Sequence, residues 1–107
     1  MILKVVVEDQ VYPITVPDDI VRDAEDFFSK LDRDMDKGWQ MSRDWVDNPN
    51  LEQRCQIIGD KMLTAMHNDN ERMMVLLSAY VLNRAPNVSA IRIDTNGEML
   101  ETELVTG

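Results

Sequence analysis

Residues 69–84 constrain the fold of this chain more than any other stretch. Nine of the ten positions in Met73–Leu82 are apolar, so apolar side chains occur on almost every side of a helix formed there. A helix with this pattern lies at the centre of a domain or in an interface, because each of its sides has to be covered. Pro86 predicts its end, and we therefore expect a fold built around this helix.

Two more helices are predicted before the central one. The first follows Pro17 and covers residues 18–37, with Gly38 as its C-terminal stop. The second covers residues 49–67, with Asn48 as its N-cap. Their apolar stripes consist of Ile20, Ala24, Phe27, Phe28, Leu31 and Met35 in the first helix, and of Leu51, Cys55, Ile58, Met62 and Met66 in the second.

The junction between the second and third helices leaves two alternatives open. Asn68, with Glu71 three positions later, has the form of a capping box and favours a new helix. The same residues would also allow one continuous helix over residues 49–84. Gly59 inside the second helix costs about 1 kcal/mol relative to alanine, which a close approach between helices or a bend would explain.

The alternating apolar positions of residues 2–16 predict a β-hairpin. Pro13 has no N–H, and a four-residue loop over Glu8–Val11 turns its nitrogen outward, as an edge strand permits. We therefore expect the second strand to lie at a sheet edge. The paired residues would be Val7 with Tyr12, Val5 with Ile14 and Leu3 with Val16.

A second hairpin is predicted near the other end of the chain. Asn96-Gly97 accepts the positive φ angles of a two-residue type I′ turn. The resulting pairs would be Ile93 with Leu100, Ile91 with Thr102, Ser89 with Leu104 and, as a charge pair, Arg92 with Glu101. Residues 39–48 are predicted to form a loop or a short helical turn, with Trp39 and Trp45 packed back on the core.

The element order ββαααββ predicts one α+β domain over residues 1–107, with helices covering an antiparallel sheet. An isolated hairpin is only marginally stable in water. We therefore expect the two hairpins to join in one sheet, or else to extend the sheet of a partner.

Composition excludes several classes of function. The 20 acidic and 11 basic side chains give a formal net charge of −9, which disfavours nucleic acid and membranes as partners. The single cysteine excludes an intrachain disulfide and a multi-cysteine zinc site. The first apolar segment is too short for a signal peptide, and the longest apolar run has five residues, so we expect a cytoplasmic location.

The chain contains no sequence motif for phosphate binding, nucleophilic catalysis, thiol redox chemistry or zinc hydrolysis, so we predict no enzymatic activity and no cofactor. The alternating acids Asp32, Asp34 and Asp36 resemble the start of a calcium-binding loop. However, Lys37 occupies the sixth position, where glycine is needed, and Arg43 occupies the twelfth, where glutamate is needed. We therefore predict a solvated acidic helix face, with no metal site.

Cys55 and His67 are the only residues of their types. Cys55 belongs to an apolar stripe, which predicts a small buried side chain. On one straight helix the two residues would be about 18 Å apart, too far to act as a nucleophile and its base. A position near the C-terminal end of a helix explains His67 without a ligand role.

The leading hypothesis is a non-catalytic protein-interaction module that binds another protein or self-associates, as a homodimer or larger, through the central helix or a sheet edge. The reason is that the chain has more apolar stripe than its length readily encloses, and it has methionines and tryptophans of the kind that line binding surfaces. The expected interface consists of Met73, Met74, Leu77, Tyr80, Val81, Trp39 and Trp45. The alternative is a small-ligand or divalent-cation binding protein that uses the acids of residues 32–36 or a pocket near Trp39 and Trp45.

Overall fold

The computed structural model describes residues 1–107 as a mixed α+β structure, which confirms the predicted fold class. Its elements, in chain order, are β1 (Ile2–Val7), β2 (Gln10–Thr15), α1 (Asp18–Asp23), α2 (Glu25–Asp36), β3 (Trp39–Met41), β4 (Asp44–Val46), α3 (Leu51–His67), α4 (Glu71–Arg84), β5 (Val88–Ile93) and β6 (Glu103–Thr106).

The two predicted hairpins join in one four-stranded sheet with the strand order β2-β1-β5-β6. The pairs β1–β2 and β5–β6 are antiparallel, whereas the central strands β1 and β5 run parallel, so the sheet is mixed and not antiparallel throughout. Strand β2 lies at an edge, as Pro13 predicts. Helices α3 and α4 pack against one face of this sheet.

The first hairpin has a two-residue loop, Glu8-Asp9, so the predicted four-residue loop is wrong. Its pairs are Val7 with Gln10, Val5 with Tyr12 and Leu3 with Ile14, a shift of two residues from the predicted pairing. A shift by an even number keeps every side chain on its predicted face, because side chains alternate along a strand. Glu8 adopts a positive φ of 56° to close this loop.

The second hairpin also differs from the prediction by two residues. Strand β5 pairs with β6 through Ile91–Leu104 and Arg92–Glu103, so Arg92 contacts Glu103 at 3.2 Å and not Glu101. Asn96-Gly97 is part of a wider loop with a 3₁₀ turn over Met99–Glu101, instead of forming a two-residue turn.

Side-chain hydrogen bonds hold this wider loop open. The Asp94 carboxylate accepts from the backbone N–H groups of Asn96 and Glu98 at 3.0 and 2.9 Å. The Ser42 hydroxyl donates to the Gly97 carbonyl at 2.7 Å and accepts from the Met99 N–H at 2.8 Å. One set of these bonds comes from Asp94 and the other from Ser42, which is distant in sequence. Turn propensity considers only the residues of the turn and therefore cannot predict these bonds.

The predicted helix over residues 18–37 is interrupted at Ala24, whose ψ of 34° separates α1 from α2. Gly38 ends α2 with a φ of 103°, as predicted. Residues 39–46 then form the small hairpin β3–β4, so the expected loop or helical turn is wrong. The Trp45 ring lies against Gly38, where an added Cβ would approach a ring carbon to 2.5 Å.

Helices α3 and α4 are separate, so of the two alternatives left open by the sequence the structure has the break, which the capping pattern favoured. Their N-caps are Asn50, in a capping box with Gln53, and Asn70, so the predicted caps Asn48 and Asn68 are wrong. Gly59 allows α3 to approach the sheet, because a Cβ there would lie 3.2 Å from Ile91 and 3.3 Å from Thr102. The close approach at Gly59 is therefore to the sheet and not to another helix.

Helix α4 is the centre of the fold, and the chain itself covers it. Every residue from Leu77 to Leu82 is buried, including Ser78. Helices α1 and α3 and strand β2 contact α4 from different sides. The apolar circumference of this helix therefore does not require a second molecule.

Candidate functional site

Four of the seven residues expected at an interface lie inside the core. Met74 is 7% exposed, and Leu77, Tyr80 and Val81 are 1% exposed or less. Met73 and Trp39 are half-buried, and Trp45 is 58% exposed. A docking surface on α4 itself would require the chain to open.

The most elaborate polar group in the molecule is a cluster around Asp32 on α2, which we call the Asp32 cluster. The Asp32 carboxylate accepts a hydrogen bond of 2.5 Å from the Tyr80 hydroxyl and one of 3.0 Å from Arg84 Nε. Arg54 of α3 donates to it at 3.2 Å and to Asp36 at 2.7 Å. Arg84 also binds Glu25 through both terminal nitrogens, at 2.8 and 2.7 Å.

The charged groups of the Asp32 cluster are already paired with one another, which is typical of a structural role. Partial burial raises the pKa of Asp32, but the hydrogen bonds from Tyr80, Arg84 and Arg54 outweigh this, so the pKa lies below its usual range. Burial, followed by the bond to Asp32, raises the pKa of the Tyr80 hydroxyl. The cluster joins α2 to α3 and α4, and each carboxylate oxygen of Asp32 already has a donor.

Asp32, Asp34 and Asp36, which resemble the start of a calcium-binding loop, do not point towards one common position. Arg54 contacts both Asp32 and Asp36, while Asp34 lines a separate cavity on the other side of α2. No group of three or more His, Cys, Asp or Glu side chains has an arrangement suited to a metal ion. The run is helical, as predicted, but its acids do not form one solvated face, because Asp32 is ion-paired and only partly solvated.

Cys55 is fully buried in the core, as its stripe predicts. Burial, with smaller contributions from Asp32 and Glu52, raises the pKa of its thiol to about 12, which is unsuited to a nucleophile. His67 is exposed at the last residue of α3, next to the exposed Asn68 and Asp69.

A cavity of about 520 Å³ lies between α2 and the α3–α4 pair, and Trp39 forms part of its wall. The ammonium group of Lys61 lies 4.8 Å from the centre of the Trp39 ring. Phe27, Leu31, Met73 and Leu77 give the cavity an apolar lining, and Lys30, Asp34 and Asp60 add charge. Trp45 does not line it, so the two tryptophans do not share a pocket.

A second groove, of about 560 Å³, runs between strand β2 and the turn that joins α3 to α4. We call it the β2 groove. Its apolar walls consist of Tyr12, Pro13, Ile14, Ala65, Met66, Met74 and Val75. Its polar residues are Thr15, Asp69, Asn70 and Glu71, and no Lys or Arg lines it.

Sequence reasoning named a sheet edge as a possible interface but did not identify the β2 groove. Of its residues, only Met66 and Met74 belonged to the methionines whose excess indicates an adaptable surface. The available signal was Pro13, which identifies β2 as an edge strand, together with the uncharged sequence of that strand. Pairing β2 with the α3–α4 turn required the three-dimensional structure.

Comparison of the chain with protein-family models, with curated proteins and with solved structures finds no match. Each helix falls short of the combination of length and apolar character that crossing a lipid bilayer demands.

Proposed function

We propose that this chain is a small non-catalytic protein-interaction module that binds its partner at the β2 groove. The observation that carries the proposal is the position of an apolar groove directly beside an exposed, uncharged edge strand. Tyr12, which forms part of the groove wall, is 41% exposed. Contiguous exposed apolar surface rimmed by polar residues is typical of protein-binding sites.

The structure favours a different protein over a second copy as the partner. In an antiparallel β2–β2 pair centred on Pro13, the two central N–H donors would be missing, because proline has none. Each copy also has a net charge of −9, which adds long-range repulsion between them. Self-association at this edge is therefore opposed by both backbone and charge.

An unbiased peptide display library tests the proposal. The library is selected on the wild-type protein, and the enriched peptides are then measured against the variant Tyr12→Ala, which removes one wall of the β2 groove. We expect their affinity to fall about tenfold, the scale of a lost aromatic contact at a binding surface. Light scattering on the same samples reports the oligomeric state, which we expect to be monomeric.

Trp45→Ala provides the matched control, because Trp45 is also an exposed aromatic but lies outside the β2 groove. Peptide affinity should be unchanged in this variant. A library that yields no binder, or peptides that depend on Trp45 and not on Tyr12, would reject the proposal. A dimer that dissociates on Tyr12→Ala would replace the proposed partner with a second copy.

A second candidate function is the binding of a small apolar ligand in the cavity at Trp39. The specific observation is the placement of Lys61 over the Trp39 ring in the wall of a cavity that has both apolar and charged residues and a volume typical of ligand sites. Trp39 fluorescence tests it with the probe 8-anilinonaphthalene-1-sulfonate, an apolar anion. Quenching in a Trp45→Phe background that disappears on Lys61→Gln would support this candidate, and unchanged fluorescence would remove it.

A further inference from the structure

Strand β2 presents backbone groups that a further strand could bind. In the β1–β2 pair, the Val16 N–H donates to the Met1 carbonyl at 2.7 Å, so alternate residues of β2 counted back from Val16 bond to β1. The residues between them, Val11, Pro13 and Thr15, therefore point their backbone groups outward. This edge has three outward carbonyls and two outward N–H groups, because Pro13 lacks the third.

The β2 groove lies where alternate side chains of an added strand would point. Tyr12 and Ile14 face the helices from β2, since their partners in β1, Val5 and Leu3, are fully buried beneath α3 and α4. Every second side chain of a neighbouring strand faces the same side. Apolar side chains at alternate positions of a bound segment would therefore enter the groove beside Met66 and Val75.

The acidic residues around the groove predict the charge of the partner segment. Asp69 and Glu71 line its helical side, and Glu8 and Asp9 are exposed at the hairpin end of β2 without an ion-pair partner. Of the nearby cations, Lys4 lies on the opposite face of the sheet, the N-terminal ammonium is ion-paired with Asp18 at 3.0 Å, and Arg72 does not line the groove. A partner that carries Lys or Arg is attracted to this rim, whereas an acidic one is repelled.

From these observations we propose that the β2 groove binds an extended segment of another protein that pairs with β2, carries apolar side chains at alternate positions and has basic residues at its ends. This inference rests on the proposed function and specifies the chemistry of the partner. The main-chain bonds supply affinity, the groove selects the apolar side chains, and the acidic rim selects the charge.

Three synthetic peptides of about ten residues test this proposal. The first alternates valine and threonine and has two lysines at each end, the second has glutamates in place of the lysines, and the third has the residues of the first with the apolar residues grouped at one end. Binding is measured by ¹H–¹⁵N chemical-shift titration of the full chain. We expect the first peptide to shift the amides of Val11 and Thr15 and to bind at least about tenfold more tightly than the other two.

Two further measurements separate the contribution of charge to peptide affinity from that of side-chain shape. The affinity for the lysine peptide should fall several-fold between about 50 mM and 300 mM NaCl, because the rim charges are exposed and screened. The double variant Asp69→Asn/Glu71→Gln should weaken that peptide about threefold to tenfold, while Asp44→Asn/Asp47→Asn, outside the groove, should leave its affinity unchanged.

The outcomes also distinguish this inference from the proposed function. Equal binding of the lysine and glutamate peptides, or shifts that map away from β2, would overturn the inference. If library peptides bind the β2 groove but are neutral or acidic, the function stands and the predicted partner chemistry is wrong. If library selection also fails, both proposals fall.

Discussion

At the scale of single residues, Asp32 has the largest structural role of the acidic side chains. It accepts bonds from Tyr80, Arg54 and Arg84 and so connects three helices. In Asp32→Asn two partly buried guanidinium groups lose an anionic partner, and we expect the free energy of unfolding to fall by about 1–3 kcal/mol. Urea denaturation measures this loss. Asp34→Asn, which breaks no ion pair, should change stability by less than about 0.5 kcal/mol, and an equal effect of both variants would contradict the assigned role.

Glu25 predicts how stability depends on pH. Hydrogen bonds from Arg84 and then Ser29 lower the pKa of Glu25 from 4.5 to about 2. Because the folded-state pKa lies below the unfolded one, the stabilisation is fully present above pH 4.5 and is lost as the pH falls towards 2. Glu25→Gln should therefore lower the melting temperature above this window and flatten its decline within it. The control Asp60→Asn, which changes an exposed acid without an ion pair, should keep the wild-type dependence of melting temperature on pH. If Glu25→Gln also keeps it, the proposed contribution of Glu25 to this dependence is refuted.

At the scale of elements, we expect Pro13 to oppose the pairing of strand β2 with a second copy. Pro13→Val restores the missing outward N–H on an exposed, uncharged edge. In about 0.5 M NaCl, which screens the acidic strand ends, we expect the average mass of this variant at high concentration to rise from 12.3 kDa towards that of a dimer. Light scattering measures it.

The control for this prediction is Thr15→Val. It adds a similar apolar side chain to the same strand but leaves the number of N–H donors unchanged. The mass of this variant should stay at that of one chain. Association of both variants would show that apolar surface, and not the backbone donor, limits pairing at the edge.

The same elements show how far the sequence determines this fold. Apolar periodicity located the first hairpin and both later helices, and Asn96-Gly97 located the second hairpin. However, the apolar pattern of a strand has a period of two and cannot distinguish pairings that differ by two residues. Only the loops decide between such pairings, and here they depend on Glu8 in a positive-φ conformation and on bonds from Asp94 and Ser42. The break at Ala24 could not be predicted from the sequence, because no glycine or proline occurs there.

The candidate site was predicted less well than the fold, for a physical reason. The apolar pattern of α4 indicates that the helix must be covered, but not whether the same chain or a partner covers it. Met74, Leu77, Tyr80 and Val81 turned out to be core residues. The β2 groove combines side chains separated by more than fifty positions, such as Tyr12 and Met66, and no local pattern connects them.

At the scale of the whole molecule, a net charge of −9 on 107 residues predicts that salt stabilises the fold. Repulsion among exposed acids is screened within about 10 Å in 0.1 M salt, whereas the partly buried ion pairs of the Asp32 cluster are screened less. We expect the urea midpoint to rise between about 20 mM and 500 mM NaCl.

A variant of reduced charge isolates the cause of this effect. Glu8→Gln/Asp9→Asn/Asp44→Asn neutralises three exposed acids that form no ion pair, and it leaves the Asp32 cluster intact. If repulsion is the cause, this variant should have a higher midpoint at low salt and a smaller gain on adding NaCl, because fewer acids remain to be screened. A wild-type midpoint that falls with salt would mean that the attraction within the ion pairs exceeds the repulsion, and the Asp32 cluster would then govern the electrostatics of the whole molecule.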